Sequence, residues 1–116
     1  MSQHTKSTII ATQNDQFRHG DVSIPGQIVV TQGLAAHVVE TESDMPDLLT
    51  AVRAFDTFTE DNDPYGEHDF GKFTFQGAGC YWKIDLYNNT LDGGSEVPED
   101  LTQTHRVLTI MLTQDY

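Results

Sequence analysis

The stretch Lys72-Phe73-Thr74-Phe75-Gln76-Gly77-Ala78-Gly79-Cys80-Tyr81-Trp82-Lys83-Ile84-Asp85-Leu86-Tyr87 decides the fold class. Its period is two. Phe73 and Phe75 alternate with Lys72 and Thr74, and Gly77-Ala78-Gly79 turns the chain. Cys80, Trp82, Ile84 and Leu86 then share one side, while Tyr81, Lys83, Asp85 and Tyr87 share the other. Successive side chains of a strand point to opposite faces, so this pattern is a β-hairpin. Downstream, residues 88–101 form a long polar loop carrying Gly93-Gly94 and Pro98. Val107–Leu112 is apolar on both parities, which predicts a central strand covered, or nearly so, on both faces.

Upstream of the hairpin the period becomes helical. Asp44 is positioned as an N-cap, Pro46 suits the first turn, and Asp47 adds negative charge where the helix dipole favours it. Leu48, Leu49, Val52, Phe55 and Phe58 recur at helical spacing and form a stripe that must be buried. Nearer the start, Ser7 or Thr8 caps a short helix over Ile9–His19, with Ile10 and Phe17 on one face and Gly20 ending it. Pro25-Gly26 reads as a turn, Gln27–Thr31 as a strand, and Leu34–Glu42 is ambiguous. Residues 1–7 read as a loose tail. The expected fold is therefore a single α+β domain spanning residues 1–116. Two helices pack on an antiparallel sheet of three to four strands that ends in a β-meander.

A chain of 116 residues supports one core, and its hydrophobic fraction of 37% suits a folded globule. No apolar run approaches the ~20 residues needed to span a bilayer. Met1–Thr8 lacks the layout of a signal peptide, and Cys80 is the single cysteine, so a cytoplasmic protein without disulfides is expected. Asn88-Asn89-Thr90 matches a glycosylation sequon, without a secretory signal to support it. Charge is the stronger fact. Eighteen acids against six bases give a formal charge of −12. Direct nucleic-acid binding is disfavoured because phosphate contacts need a basic face, and an anionic membrane is disfavoured likewise. A basic partner is favoured.

The acids gather in two stretches. One is Thr59-Glu60-Asp61-Asn62-Asp63-Pro64-Tyr65-Gly66-Glu67-His68-Asp69-Phe70-Gly71, and the other carries Asp85, Asp92, Glu96, Glu99 and Asp100 between Lys83 and Arg106. Like charges this dense repel, so either the first loop is pinned by hydrogen bonds or something cationic neutralises it. Three readings follow. In the first, Glu60, Asp61, Asp63, Glu67 and Asp69, helped by Asp92, Glu96, Glu99 and Asp100 and anchored by Tyr65, contact a basic protein surface. In the second, Asp61, Asp63, Glu67, His68 and His105 supply mixed nitrogen and oxygen ligands to Zn, Mn or Fe, with Gly66 or Gly71 providing the necessary turn. An EF-hand is a poor match, since Tyr65 replaces its fifth ligand and Lys72 its bidentate glutamate. In the third, the motif is scaffolding: Asp63-Pro64-Tyr65-Gly66 makes a tight turn, Asp61 or Asp63 accepts backbone N–H groups, and His68 ties the loop to the sheet. Nucleophilic catalysis finds little support. Cys80 lies on the buried face of the hairpin, and Ser95 is not set in a nucleophile elbow.

Several stretches together resemble a bacterial family catalogued as domain of unknown function 3768. They are Ala51-Val52-Arg53-Ala54-Phe55-Asp56-Thr57-Phe58, Gly66-Glu67-His68-Asp69-Phe70-Gly71, Tyr81-Trp82-Lys83-Ile84-Asp85-Leu86-Tyr87, Gly94-Ser95 and Arg106-Val107-Leu108-Thr109-Ile110-Met111-Leu112. The resemblance runs from the main helix to the C-terminus and carries over no catalytic residue and no cofactor. It implies a context, that of accessory proteins of plasmids and integrated elements, mostly in alphaproteobacteria. Proteins of that kind often blunt host defences against foreign DNA. The expectation is thus a non-enzymatic acidic protein without cofactor, an inhibitor of anti-restriction or anti-CRISPR type that occupies the basic surface of a nucleic-acid-binding protein. The alternative is a metal-binding protein or metal-dependent enzyme centred on His68.

Overall fold

The hairpin forms as its alternation requires. In a computed structural model describing residues 3–116, β2 (Phe70–Phe75) pairs antiparallel with β3 (Ala78–Tyr87), and Phe75 faces Ala78 across a two-residue turn. Both turn residues, Gln76 (φ 49°) and Gly77 (φ 79°), are left-handed, the requirement of a type I′ turn whose twist matches the flanking strands. The turn is therefore Gln76-Gly77, not the Gly77-Ala78-Gly79 read from the sequence. β3 also pairs antiparallel with β4 (His105–Leu112), which completes the expected meander.

The sheet departs from expectation at its far edge. β1 (Gly26–Val30) joins β4 in parallel, so the sheet is mixed, with order β1-β4-β3-β2. A parallel neighbour requires a long crossover, and everything from α2 to the meander lies between these two strands. Pro25-Gly26 opens the strand rather than turning before it, and Gly26 is needed there because a Cβ would lie 2.6 Å from the Phe17 ring.

Among the described residues there are three α-helices rather than two. α1 (Gln3–Arg18) starts within the expected tail, of which residues 1–2 lie outside the described residues. The ambiguous stretch is a helix, α2 (Gln32–Glu40). α3 (Met45–Arg53) is capped as predicted, the Asp44 carboxylate accepting the Asp47 N–H at 2.9 Å. It ends at Arg53, so Phe55 and Phe58 leave the helix yet still reach the core. Phe55 packs edge-on against Trp82, with ring centroids 5.5 Å apart. The stop has a physical cause: the buried Arg18 guanidinium donates to the carbonyls of Val52 (2.7 Å) and Arg53 (3.4 Å), which a longer helix would offer to its next turn.

The core is one cluster on one face of the sheet. Phe17 from α1, Leu34 and Val38 from α2, and Leu48 and Val52 from α3 meet Phe75, Cys80, Trp82, Ile84, Leu108 and Ile110. All three helices thus cover the even-numbered side of β3 and β4. Gly71 sits in β2 beneath the indole, where a Cβ would approach Trp82 Nε1 to 2.4 Å, so it serves packing and not a turn. The opposite face is less covered. Met111 is buried, but Val107 and Thr109 are half-buried, and a C-terminal 3-10 turn (Thr113–Asp115) brings Tyr116 onto Phe70 and Tyr81.

Candidate functional site

The acidic loop is pinned by its own first half. Thr59 N–H donates to Asn62 Oδ1 (2.8 Å), Asn62 Nδ2 donates to the Thr57 carbonyl (2.9 Å), and Asp63 N–H closes back on the Thr59 carbonyl (2.8 Å). Asp63 is buried, and its Oδ1 accepts the N–H groups of both Glu67 and His68 at 3.1 Å. The Asp63-Pro64-Tyr65-Gly66 turn closes through Gly66 N–H to the Asp63 carbonyl, with Gly66 at φ 66°. Asp63 therefore plays the part the scaffold reading expected, a carboxylate held by backbone donors in place of water.

His68 ties this loop to a helix and not to the sheet. Its ring stacks on Phe58 at 3.8 Å, and its Nδ1 lies 2.9 Å from Asp15 Oδ2 on α1. Nε2 faces Asp63 Oδ2 at 3.7 Å. The backbone there is left-handed (φ 54°), a conformation that costs energy for a residue with a Cβ and is kept by the Asp63 contact and the stacked ring. Asp15 also meets Arg18 (3.3 Å), so Arg18, Asp15, His68 and Asp63 form one chain of contacts. Burial pushes the Arg18 guanidinium down, against the opposing pull of Asp15 and Asp56. The same guanidinium stacks over Trp82 at 4.8 Å.

A second buried cation joins the two acidic stretches. Arg106 on β4 has no exposed surface. It donates through Nε to Asn14 Oδ1 (2.8 Å) and through Nη2 to Gln13 Oε1 (3.0 Å). Asn14 in turn donates to the Glu67 carbonyl and Gln13 to the Glu99 carbonyl, each at 2.9 Å. One guanidinium thus fixes two adjacent α1 side chains, and each of them holds one acidic loop. Burial pushes Arg106 down to about 10. Its Nη1 and the neighbouring loop's Glu99 Oε1 lack hydrogen-bond partners among the described residues.

The anticipated site residues separate into three groups. Asp63, Asp92 and Asp100 are occupied within the fold. Asp92 accepts from Thr90 and Asn88, and Asp100 from Thr102 and Gln103, bonds that hold both carboxyls below their ordinary range. Glu99 meets Lys6 at 3.5 Å. In the second group, Glu60, Asp61 and Glu96 are exposed, and Glu67 and Asp69 are half-buried, without a hydrogen-bonding or ion-pairing side chain among the described residues. Burial, and then repulsion from Asp69 and Asp63, raises the Glu67 carboxyl. Burial also raises Asp69, with Asp63 and Asp85 adding to the rise. Third, the metal set is not assembled. His105 faces the side of the sheet opposite the helices, with Nε2 3.4 Å from Gln27 Oε1, while His68 sits on the helix side. No group of three or more His, Cys, Asp or Glu side chains suited to a metal occurs among the described residues.

Asp69 opens onto a cleft of ≈ 320 Å³ that also involves Tyr65, Lys83, Asp85 and Tyr116. Tyr65 and Tyr116 are 77% and 76% exposed, unusual for rings of this size and suited to contact. Asp85 pairs with Lys83 at 3.2 Å. Sequence reasoning named Tyr65 and Asp69 but missed Asp15, Asp85, Tyr116, Arg18 and Arg106 as parts of these arrangements. The run of polar residues on α1 (Gln13, Asn14, Asp15 and Arg18) beside Phe17 was the available signal, since a helix packed on a core rarely spends its inner face so.

These features define a small α+β domain in which two acidic loops are moored to one helix by buried arginines. The chain belongs to the family described as protein of unknown function (DUF3768), whose family model matches residues 30–115. That span begins earlier than the resemblance read from the sequence and takes in α2, while α1 lies outside it. No curated protein and no solved structure matches the chain. No helix among the described residues is long and apolar enough to cross a membrane.

Proposed function

We propose that this protein is a non-enzymatic acidic binding protein that docks on a basic protein surface through Glu60, Asp61, Glu67 and Asp69, with Tyr65 and Tyr116 as aromatic contacts. The observation that carries the reading is that Glu67 and Asp69 are half-buried without a pairing side chain among the described residues, so that burial and repulsion from neighbouring carboxylates leave them unfavourably charged. A fold that retains such a cluster gains when a guanidinium or ammonium group arrives. The cleft between Tyr65 and Tyr116 suits a basic side chain, since aromatic faces attract cations and Asp69 supplies the counter-charge. Asp63, Asp92 and Asp100 are spent inside the fold and act as supports for this surface.

The kind of target follows from the charge. A net −12 favours proteins whose basic grooves hold nucleic acid, and the family context favours host defence machinery, making inhibition of anti-restriction or anti-CRISPR type the concrete form of the proposal. The test is a competition assay. Purified protein is added to a restriction endonuclease and, separately, to a CRISPR nuclease, and duplex binding and cleavage are followed across a salt series. The expected outcome is inhibition of at least one at low salt that fades as ionic strength rises, and its loss in an E60Q/D61N/E67Q/D69N variant. Failure to displace duplex from either nuclease, or inhibition indifferent to salt and to those substitutions, would overturn the reading.

A further inference from the structure

We propose that the free edge of β1 is a self-pairing surface, on which two copies of this chain join antiparallel to make one continuous sheet. β1 lies at the end of the strand order, bonded on one side to β4. Two bonds set its parity: the Pro25 carbonyl accepts from Arg106 N–H at 3.1 Å, and Thr31 N–H donates to the Ile110 carbonyl at 3.0 Å. In a parallel ladder alternate residues bond to the same neighbour, so the odd-numbered residues face β4. Gly26, Ile28 and Val30 therefore point their N–H and C=O groups away from the sheet. The strand's first four residues are exposed and Val30 is half-buried, so among the described residues most of this row is uncovered.

Natural sheets usually blunt such an edge with lysine, proline, a bulge or a covering segment. The other edge follows that rule, since β2 carries Lys72 at mid-strand and is preceded by Asp69. β1 reads Gly-Gln-Ile-Val-Val and has none of these devices within it. It also lies in the longest uncharged run of the chain, for residues 22–39 contain no Asp, Glu, Lys or Arg. Ile28 and Val29 are 42% and 39% exposed, and Val22 at 99% lines a groove with Ile28, Phe17 and Ile24 that Asp21 and Arg53 also border.

The charge argues for the occupant. Two molecules of net charge −12 repel at nearly every orientation, and β1, flanked by Asp21 in the groove beside Ile28 and by Asp115 at Thr31, is an edge strand that carries no charged residue of its own. An antiparallel strand pair is self-complementary about a two-fold axis, the closed arrangement most homodimers adopt. Centred on Ile28, the register sets Ile28 against its own copy and Gly26 against Val30 of the other chain. The outward groups then form roughly six interchain hydrogen bonds, two at each facing pair. The exposed Ile28 side chains meet on the helix side of the joined sheet.

Sedimentation equilibrium or light scattering over a concentration series tests this, together with amide exchange by NMR. The expected result is a species of twice the 13.0 kDa chain mass, with slowed exchange at the Gly26, Ile28 and Val30 amides that tracks dimer population. Salt should strengthen the dimer by screening the repulsion, opposite to its expected effect on a basic partner. Ile28→Lys should give a monomer with unchanged circular dichroism. Ile28→Pro should do the same, since it removes an N–H that β4 does not use. A wild type that stays monomeric at millimolar concentration, or an open-ended series of oligomers, would overturn the proposal. So would a dimer that survives both substitutions.

Discussion

Replacing Arg106 with methionine tests whether one buried guanidinium holds both acidic loops. The substitution keeps a long, flexible side chain in a site with no exposed surface but removes the donors to Asn14 and Gln13. Hydrogen bonds to a charged group contribute about 1.5–3 kcal/mol each, so losing two costs about 3–6 kcal/mol. Removing a desolvated cation works the other way. Its fall from the ordinary guanidinium range to about 10 corresponds, at 1.36 kcal/mol per unit, to about 3 kcal/mol of relief. The net expectation is a loss of up to about 3 kcal/mol, which in a chain of this length lowers Tm by up to about 12 °C. The loss should be local in character. Amide exchange should quicken at Glu67 and His68 in one loop and at Asp100 and Gln103 in the other, because Asn14 and Gln13 are freed together. Asn14→Ala should loosen the first loop far more than the second. A Tm at or above wild type would mean that desolvation outweighs the hydrogen bonds. Unchanged exchange in either loop would refute the idea that Arg106 moors it.

Gly71→Ala should destabilise by about 1–3 kcal/mol, because its Cβ meets the Trp82 indole and the Phe55 ring in a closed core, and thermal melts with near-UV circular dichroism would register it. Asp69→Asn and Glu67→Gln should raise Tm at pH 7. Both carboxyls are raised in the folded state, so the wild type loses stability as pH rises from the ordinary carboxylate range through the raised folded-state range, a loss the amides avoid; below the ordinary carboxylate range the variants should melt with the wild type, and a gain persisting at pH 3 would contradict the cause assigned here. His68→Ala should free the acidic loop from α1 by losing the Phe58 stack and the Asp15 contact, seen as faster proteolysis near Tyr65 with the sheet amides still protected.

Local chemistry made much of this molecule legible in the sequence. Period-two alternation marked β2 and β3, the Asp44 cap with Pro46 marked the start of α3, and the paired apolar parities of β4 marked a central strand, because each signal depends on neighbours along the chain. The pinned Asp63 turn was legible for the same reason. Signals spread over distant segments were not. Nothing near Phe55 announces the end of α3, since the carbonyls at its end are taken by Arg18 from another helix. The parallel seat of β1 depends on a crossover that only the packed core selects.

By itself the sequence determined an α+β domain, an uncompensated negative charge and two acidic loops, all properties of composition and short-range pattern. The tertiary structure alone decided where the two acidic loops are seated and which of their carboxylates are left half-buried. Asp63, Asp92 and Asp100 are satisfied by donors a few residues away, but the loops that carry them are held from remote positions: Asn14 and Gln13 donate to the Glu67 and Glu99 carbonyls, and Arg106 fixes both of those side chains. Charge can be counted along a chain, but how deeply a carboxylate is buried is a matter of three-dimensional neighbours.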